Sequence, residues 1–567
     1  MRKLFQAFCA FALALALLSA GQSQQVNRSL RQASARNAGS KPKLVVVIVM
    51  DQFRAEYLTR FAPFFGDGGF KWLMRSGANL TNARYTYATT YTGPGHALIL
   101  SGSYGHTNGI IANKWYNYES GQSEAMFYDP DAKLIGLETA AGDDVSPRNF
   151  IGNNLSDQLL MSNNFKSKAI AVSLKDRAAI MLSGKLGKAY WYHEGTGGFL
   201  SSTYYMKDLP EWVKSFNARK IPDSHYSGQW GKSLPAAAYD ISTEDDLPFE
   251  TDFKGLGRTF PHTLKDKSGK PSPDFYEAFT ATPFATDYEL QFARHVIETE
   301  NLGGDQYTDL LGISITATDI AGHSFGPNSQ EVQDLIARAD KQLAEFFAYL
   351  NRKFRSGEVV IAFTADHGAT PTPEYMKSLG VDAGRIRKKQ LGEAVEQALD
   401  AEFGEGKWVV GLEDPSIFLN RALIAEKKLD RAHVQRAAGE AILKIKGVAG
   451  YFTHSQMLNG QLPPNQMARY FEKSFHPERS GDILVVTKPF YFWGKYGESD
   501  HGSTHGSPYE YDTHVPLILV GAAIRPGVYN FSADIADLAP TLSTILGIGA
   551  PSGNEGRTLH EILSAVE

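Results

Sequence analysis

The stretch Leu44-Val-Val-Val-Ile-Val-Met50 is apolar at every position and runs directly into the carboxylate of Asp51. Strands with one solvent-facing side alternate apolar and polar residues, whereas a continuous apolar run is typical of a strand covered on both faces, as in a parallel sheet. A carboxylate at the end of such a run is poorly placed unless a partner meets it. We therefore predict a buried strand that ends at a functional site.

Four more apolar runs follow the same pattern. Residues 169–174 precede Lys175-Asp176-Arg177, 310–316 precede Asp319 and His323, 359–365 precede Asp366-His367, and 515–520 follow shortly after His505. In parallel α/β sheets, ligands bind in the crevice beyond the carboxyl ends of the strands. Polar residues that are far apart in sequence are therefore expected to gather at one edge of the sheet, which is the layout of an enzyme.

The segment after Gly326-Pro327 has the periodicity of an amphipathic helix. Its apolar side chains recur every three or four residues, at Val332, Leu335, Ile336, Ala339, Leu343, Phe346, Phe347 and Leu350. A helix between the third and fourth predicted strands is what a crossover between parallel strands requires. The predicted fold class is α/β, a mostly parallel central sheet sandwiched by helices. One catalytic domain spans 43–567, with inserted subdomains at about 195–285 and 375–480.

Composition indicates a large globular protein. The 567 residues are 43% hydrophobic and 21% charged, which allows an extensive core. The formal net charge of −5 argues against binding nucleic acid through bulk electrostatics.

The amino terminus has the pattern of a secretory signal peptide over residues 1–20. Met1-Arg2-Lys3 precedes a short apolar core from Phe8 to Leu18, and small residues close it. This core is too short for a membrane span, so no stable membrane anchor is expected; the alternative is a retained, uncleaved segment. Residues 21–42 are expected to form a flexible lead-in. We predict an exported protein, periplasmic or secreted, in a bacterium.

Three aspartates and two histidines at three predicted strand ends suggest a metal centre. Asp319 and His323 are four residues apart and converge if that segment is helical, and Asp366-His367 follows a strand directly. Taken singly, each aspartate is as well explained as a helix cap or turn residue. Together, nitrogen and oxygen ligands without thiolate suit Zn²⁺, with Mn²⁺ or Co²⁺ as alternatives. Five or more ligands exceed one tetrahedral site and imply two metal ions.

The segment 90–101 contains the candidate nucleophile. Gly93-Pro94-Gly95 predicts a tight turn, with Pro94 near the start of a helix that continues through Leu100. A hydroxyl there lies beside free N–H groups and the positive end of the helix dipole, which favours anion binding. The alternative is that Thr89, Thr90 or Thr92 only caps the helix.

Six short motifs in sequence order resemble the alkaline phosphatase superfamily. They are Thr92-Gly-Pro-Gly-His, Asn113-Lys-Trp-Tyr, Lys175-Asp-Arg177, Asp319-x-x-x-His323, Ala365-Asp-His-Gly and Ser503-Thr-His-Gly-Ser-Pro-Tyr. Within that superfamily the chain is similar to the PafA-type bacterial alkaline phosphatases with a threonine nucleophile, in the type I phosphodiesterase/nucleotide pyrophosphatase-like family. The resemblance implies one zinc held by Asp51, Thr92, Asp366 and His367, and a second held by Asp319, His323 and His505. It also implies that Asn113, Lys175 and Arg177 line the phosphoryl oxygens.

The activity expected from this resemblance is hydrolysis of small phosphate monoesters through a phosphothreonine at Thr92. A monoester dianion has charge for both Lys175 and Arg177 to meet, whereas a diester has less charge and a second organic group. The alternative function is phosphodiesterase or nucleotide pyrophosphatase. Sulfatases are excluded because no cysteine follows Cys9 and the Thr92 segment lacks their arginine. The non-enzyme alternative, a zinc-stabilised binding module, does not explain Thr92 and Asn113.

Overall fold

The computed structural model describes residues 41–136, 144–265 and 267–564. The predicted signal peptide and most of the lead-in, up to residue 40, lie outside these ranges. No helix among the described residues combines the length and apolar character needed to cross a bilayer.

A mixed sheet of ten strands forms the centre of the molecule. Its strands are β1 (Leu44–Met50), β2 (Ala78–Leu80), β3 (Leu134–Ile135), β4 (Ala169–Ser173), β5 (Lys188–His193), β6 (Gly198–Ser202), β7 (Asp309–Ile315), β8 (Val359–Thr364), β9 (Leu517–Val520) and β10 (Gly527–Tyr529). Their order across the sheet is β10-β2-β9-β8-β1-β7-β4-β5-β6-β3.

The middle of this sheet is parallel. Strands β8, β1, β7, β4 and β5 are neighbours that run in the same direction. Every residue of β1 is buried, since both faces of the strand are covered. The predicted α/β class with a mostly parallel central sheet is thereby confirmed.

Strand β9 runs antiparallel to β8, with Ile518 opposite Phe363. The expectation that the run 515–520 joins the parallel strands was wrong in direction, because a continuous apolar run indicates burial on both faces and not orientation. His505 nevertheless lies at the expected edge. It precedes the amino end of β9, and because β9 is antiparallel this end lies beside the carboxyl ends of the parallel strands.

Five helices carry or support the site. They are α1 (Thr92–Ser101), α2 (Asp176–Ser183), α3 (Pro283–Thr299), α4 (Ala317–Phe325) and α5 (Gln330–Lys353). Helices α1 and α2 pack together, as do α3 and α5. The helix predicted after Gly326-Pro327 is confirmed as α5, whose N-cap Ser329 accepts a hydrogen bond from the Val332 N–H at 3.2 Å. Together α4 and α5 connect β7 to β8, as the predicted crossover requires.

A second sheet lies within and just beyond the predicted 375–480 insertion. Its four strands, in spatial order, are Val409–Glu413, Ser416–Leu419, Ile483–Thr487 and Val448–Thr453. The helices in this part of the chain are Pro373–Ser378, Lys388–Phe403, Arg421–Glu426, Arg431–Ile442, His454–Leu458 and Gln466–Lys473. A separate apolar core that includes Trp408, Ile417 and Val434 stabilises this region.

The region 195–285 contains little regular structure. It holds β6, the helices Glu211–Ala218 and Pro273–Thr280, and a two-stranded sheet of Gln229–Trp230 and His262–Thr263. The division into one domain with two insertions stays a prediction. Further helices lie outside these regions, at Tyr57–Arg60, Phe70–Ser76, Gly105–Asn108, Leu155–Ser162, Lys495–Glu498, Glu510–Thr513 and Leu538–Leu546.

Candidate active site

The predicted site residues meet at one edge of the parallel strands. Asp51 follows β1 directly, Asp366 and His367 follow β8, and Lys175 follows β4. Helix α4, which begins just after β7, carries Asp319 and His323, and Thr92 is the first residue of α1. His505, which precedes β9 in the chain, lies at the same edge.

A first cluster of ligand atoms surrounds His367. Asp51, Asp319 and His367 each offer one atom, and these atoms lie within 4.8 Å of one another. The Nε2 atom of His367 lies 3.4 Å from Asp51 Oδ1 and 3.3 Å from Asp366 Oδ2. The hydroxyl of Thr92 is 3.4 Å from the same nitrogen. The four residues that the resemblance assigns to one zinc are therefore neighbours.

A second cluster consists of Asp319, His323 and His505. The Nε2 atoms of His323 and His505 lie 3.3 Å and 3.6 Å from Asp319 Oδ1. Their Nδ1–H groups donate to backbone carbonyls of Ser503 at 2.8 Å and Thr90 at 2.7 Å. These bonds fix both ring orientations and leave each Nε2 free to act as a ligand. Asp319 reaches both clusters, although the resemblance assigns it to the second alone.

Lys175 is an internal counterion of both clusters. Its Nζ atom lies 2.8 Å from Asp51 Oδ2 and 2.5 Å from Asp319 Oδ2. Burial raises the pKa of Asp51 well above its usual value, the neighbouring Asp319 and Asp366 raise it further, and Lys175 opposes this. Burial also raises the pKa of Asp319, but His323 and Lys175 outweigh it and hold that pKa well below the usual range.

The donor set fits divalent metal ions. Burial lowers the pKa of His367. The pKa of His505 is lowered further, by burial and by the neighbouring His367 and His323. Both rings are therefore held in the neutral form that ligates metals. Two buried carboxylate oxygens, Asp51 Oδ1 and Asp366 Oδ2, accept no hydrogen bond from any residue that the structure describes. Buried anionic oxygens without donors are costly unless a cation meets them.

A cavity of about 410 Å³ opens onto the second cluster. Asn113, Lys175 and Arg177 are among the residues that line it. Asn113 Oδ1 accepts a hydrogen bond from the Gly93 N–H at 2.8 Å, which leaves both N–H donors of the amide for another acceptor. The side chain of Arg177 is 30% exposed. Its Nε–H is buried and has no acceptor within the described part of the chain.

His96 contacts the site, although sequence reasoning left it out. Its Nδ1 atom lies 2.9 Å from the Thr92 carbonyl oxygen and 3.2 Å from Asp366 Oδ2, and its Nε2 atom is 2.8 Å from Ser314 Oγ. The side chain is fully buried. Its signal in the sequence was the four-residue spacing from Thr92, which places both on one face of α1.

Gln52 was also missed. Its φ of 60° turns the chain sharply after Asp51. The backbone N–H of Gln52 donates to Asp366 Oδ1 at 3.2 Å, and its side-chain amide donates to Asp319 Oδ1 at 2.9 Å. Gln52 thus joins acids from two different strand ends. A glutamine after a strand carries no sequence signal for this role.

Glu289 of α3 lies behind the site and ties two strand ends together. Its carboxylate is fully buried and accepts hydrogen bonds from the N–H groups of Leu174 at 2.9 Å and Thr316 at 3.3 Å. Burial raises the pKa of Glu289 to about 8, although these two bonds oppose the shift. The side chain holds the ends of β4 and β7 immediately before Lys175 and α4.

Gly95 allows α1 to touch the end of β8. A Cβ atom at this position would overlap the backbone carbonyl oxygen of Asp366. Glycine is required here because the two backbones approach closely, and any side chain at position 95 would have to displace main-chain atoms of Asp366. The distance between Thr92 and His367 is thus set by contact between two backbones.

Comparison with known proteins identifies one matching family and relatives that align over nearly the whole chain. Residues 45–508 match the model of the family described as type I phosphodiesterase / nucleotide pyrophosphatase. The chain is 34% identical to alkaline phosphatase PhoV of Synechococcus elongatus, over 97% of this chain and 98% of that one. It is also 34% identical to a protein named calcium-transporting ATPase from Myroides odoratus, over 92% and 95% of the two chains.

A solved structure shows the same architecture. The crystal structure of alkaline phosphatase PafA, from Elizabethkingia meningoseptica, superposes with a TM-score of 0.86 and 33% identity. The alignment covers 92% of this chain and 99% of that chain. The likeness therefore extends over the central sheet, the second sheet and the site edge.

Proposed function

Because the chain belongs to the type I phosphodiesterase / nucleotide pyrophosphatase family, we propose that it is an alkaline phosphatase, a metal-dependent hydrolase of phosphate monoesters. One observation carries this proposal. Two acid–histidine clusters lie beside a threonine hydroxyl at a helix start, and an amide, an ammonium and a guanidinium line the adjoining cavity.

The proposed cofactors are two zinc ions. Asp51, Thr92, Asp366 and His367 would hold one, and Asp319, His323 and His505 the other. When bound, such ions supply Lewis acidity that lowers the pKa of a coordinated hydroxyl and stabilises charge on phosphoryl oxygens. The neutral histidines and the carboxylate oxygens without hydrogen-bond donors support this choice of ligands.

The proposed nucleophile is the hydroxyl of Thr92. Its oxygen forms a bond to phosphorus while the bond from phosphorus to the ester oxygen breaks and the alcohol leaves. Water then cleaves the phosphothreonine and releases inorganic phosphate. The position of Thr92 at the first residue of α1 favours the negative charge of the phosphoryl group.

The monoester preference is attributed to three donors. Asn113 offers its amide N–H groups, while Lys175 and Arg177 offer two positive charges that a dianionic phosphoryl group can meet. One solved PafA variant supports the assignment. It carries substitutions of a threonine, an asparagine, a lysine and an arginine at the same separations as Thr92, Asn113, Lys175 and Arg177 here.

We also propose that the protein is exported by its 1–20 segment and acts in the periplasm or outside a bacterial cell on small phosphate monoesters. The catalytic domain would then begin near residue 43, after the lead-in.

The decisive experiment compares a monoester with a diester that has the same leaving group. Purified enzyme is assayed with phenyl phosphate and methyl phenyl phosphate, and its metal content is measured by elemental analysis. For a phosphate monoester hydrolase we expect a larger kcat/KM for phenyl phosphate than for methyl phenyl phosphate. A larger value for the diester would instead favour the phosphodiesterase alternative, and turnover of neither ester by metal-loaded protein would favour a binding module.

A further inference from the structure

A short segment, residues 496–503, holds His323 of the second cluster. Tyr496 stacks on the His323 ring with centroids 4.6 Å apart and an interplanar angle of 3°. Ser503 exchanges two hydrogen bonds with the same residue. Its N–H donates to the His323 carbonyl at 2.9 Å, and its own carbonyl accepts from His323 Nδ1–H at 2.8 Å. The orientation of this proposed ligand therefore depends on where the segment lies.

Gly502 brings the segment into contact with the backbone of α4. Its φ is 74°, and a Cβ atom at this position would lie 2.5 Å from the His323 carbonyl oxygen. Its N–H donates to the Phe249 carbonyl at 2.7 Å. Because no side chain fits between the segment and α4, a displacement at Gly502 directly changes the contact with His323.

Arg385 joins the beginning of this segment to its end. Its guanidinium donates hydrogen bonds to the carbonyls of Tyr496 at 2.9 Å, His501 at 3.2 Å and Gly502 at 2.7 Å. The first of these residues stacks on His323, and the last precedes the residue that bonds to it. One side chain thus holds both parts of the segment that contact the histidine.

Arg385 is itself held in place. The carboxylate of Glu374 accepts from its Nε–H at 3.0 Å and from its Nη2–H at 2.8 Å, which makes a bidentate pair. The strand Gly384–Arg385 pairs with Tyr491–Phe492, just ahead of the segment. All five N–H donors of the guanidinium are therefore engaged, and the side chain is only 5% exposed. A lysine has three donors on one atom and cannot span the carboxylate and the three carbonyls.

We propose that Arg385 is a positioning residue for the second metal site, one that holds the 496–503 segment against α4 and thereby fixes His323 for zinc binding. This inference rests on the proposed zinc centre. Groups that orient a metal ligand contribute about 10- to 100-fold to metal affinity. The effect is expected at one site only, because Asp51, Asp366 and His367 follow β1 and β8 directly and are positioned by the sheet.

The test is a zinc titration in competition with a chromophoric chelator, which gives a Kd for each of two binding steps. His323→Ala removes a proposed ligand and so identifies the step that belongs to the second site. Arg385→Lys and Arg385→Ala should weaken that step by about 10- to 100-fold, alanine more than lysine, and leave the other step within about threefold. Monoester turnover should fall at low free zinc and recover at high free zinc, which a general loss of stability would not produce.

Arg387 provides the matched control. It lies two residues further along the chain and pairs with Asp500 of the same segment. The two side chains are 33% and 79% exposed, and exposed ion pairs contribute little. Arg387→Lys and Arg387→Ala should therefore match the wild type at both zinc steps.

The outcomes separate the two proposals. Fewer than two zinc ions bound by the wild type would refute the proposed zinc centre and this inference with it. Two zinc ions bound by the wild type, with Kd values that the Arg385 variants leave unchanged or weaken equally, would overturn this inference alone. If Arg385→Ala does not fold, Arg385→Lys and Glu374→Gln decide the question, since Glu374→Gln keeps the shape of the partner and removes its charge. The second zinc step should weaken in both, and unchanged Kd values would again overturn the inference.

Discussion

Arg177 and Lys175 are expected to affect catalysis differently, because their surroundings differ. Arg177 is part-exposed in the cavity, and its nearest carboxylate oxygen, on Asp176, is 3.8 Å away. Lys175 contacts Asp51 and Asp319, which belong to the ligand clusters. Removing the guanidinium therefore removes a proposed phosphoryl donor, whereas removing the ammonium also changes the charge balance of the proposed metal centre.

The magnitudes follow from these contacts. A hydrogen bond to a charged partner contributes about 1.5–3 kcal/mol, so Arg177→Ala should lower monoester kcat/KM by roughly 10- to 150-fold. A diester presents less charge to the guanidinium and should lose only a few-fold. Lys175→Ala should cost the monoester at least as much. It should also reduce diester turnover, because breaking a buried ion pair leaves unpaired carboxylates.

The assay is steady-state kinetics on phenyl phosphate and methyl phenyl phosphate with both variants. Arg557→Ala is the control, since Arg557 pairs with Glu561 near the carboxyl terminus and does not line the cavity. The expected result is a fall in the monoester-to-diester ratio that is clearest in Arg177→Ala. An equal loss of both activities in that variant would refute the reasoning and assign Arg177 a structural role.

Three further predictions concern the nucleophile, the metals and Glu289. Thr92→Ala should remove nearly all turnover while Thr92→Ser keeps part of it; mass spectrometry of trapped enzyme showing phosphate on another residue would contradict this. Elemental analysis should find two zinc ions per chain, and chelation should abolish activity. One metal ion or none in fully active enzyme would contradict the proposed pair of zinc sites. Glu289 keeps a proton up to pH about 8 in the folded protein, whereas the unfolded chain releases it near 4.5, so it lowers stability as pH rises through that window. Glu289→Gln should remove up to about 1.4 kcal/mol per pH unit of that slope in denaturant titrations, and an unchanged slope would show that Glu289 is already ionised.

The central architecture was predictable because burial leaves a strong mark on sequence. A strand covered on both faces must be apolar throughout, and the residue after it must leave the core, so Asp51 and Asp366 could be placed at one edge. Strand direction leaves no such mark. The orientation of β9 depends on the path of the long segment between β8 and His505, which folds into a second sheet before it returns.

The candidate site was predictable only where neighbours in space are also near in sequence or belong to a known motif. The pair Asp319 and His323 has helical spacing, and Asp366-His367 is contiguous. Contacts between distant segments have no such signature. The reach of Asp319 into both clusters and the stacking of Tyr496 on His323 depend on tertiary packing that no local pattern records.

The absence of a side chain at Gly95 makes the catalytic geometry a property of the main chain. Because α1 rests directly on the carbonyl of Asp366, contact between the two backbones holds the Thr92 hydroxyl at its distance from His367. One added methyl at position 95 would lift the helix start as a unit. A residue that performs no chemistry therefore determines where the proposed nucleophile stands.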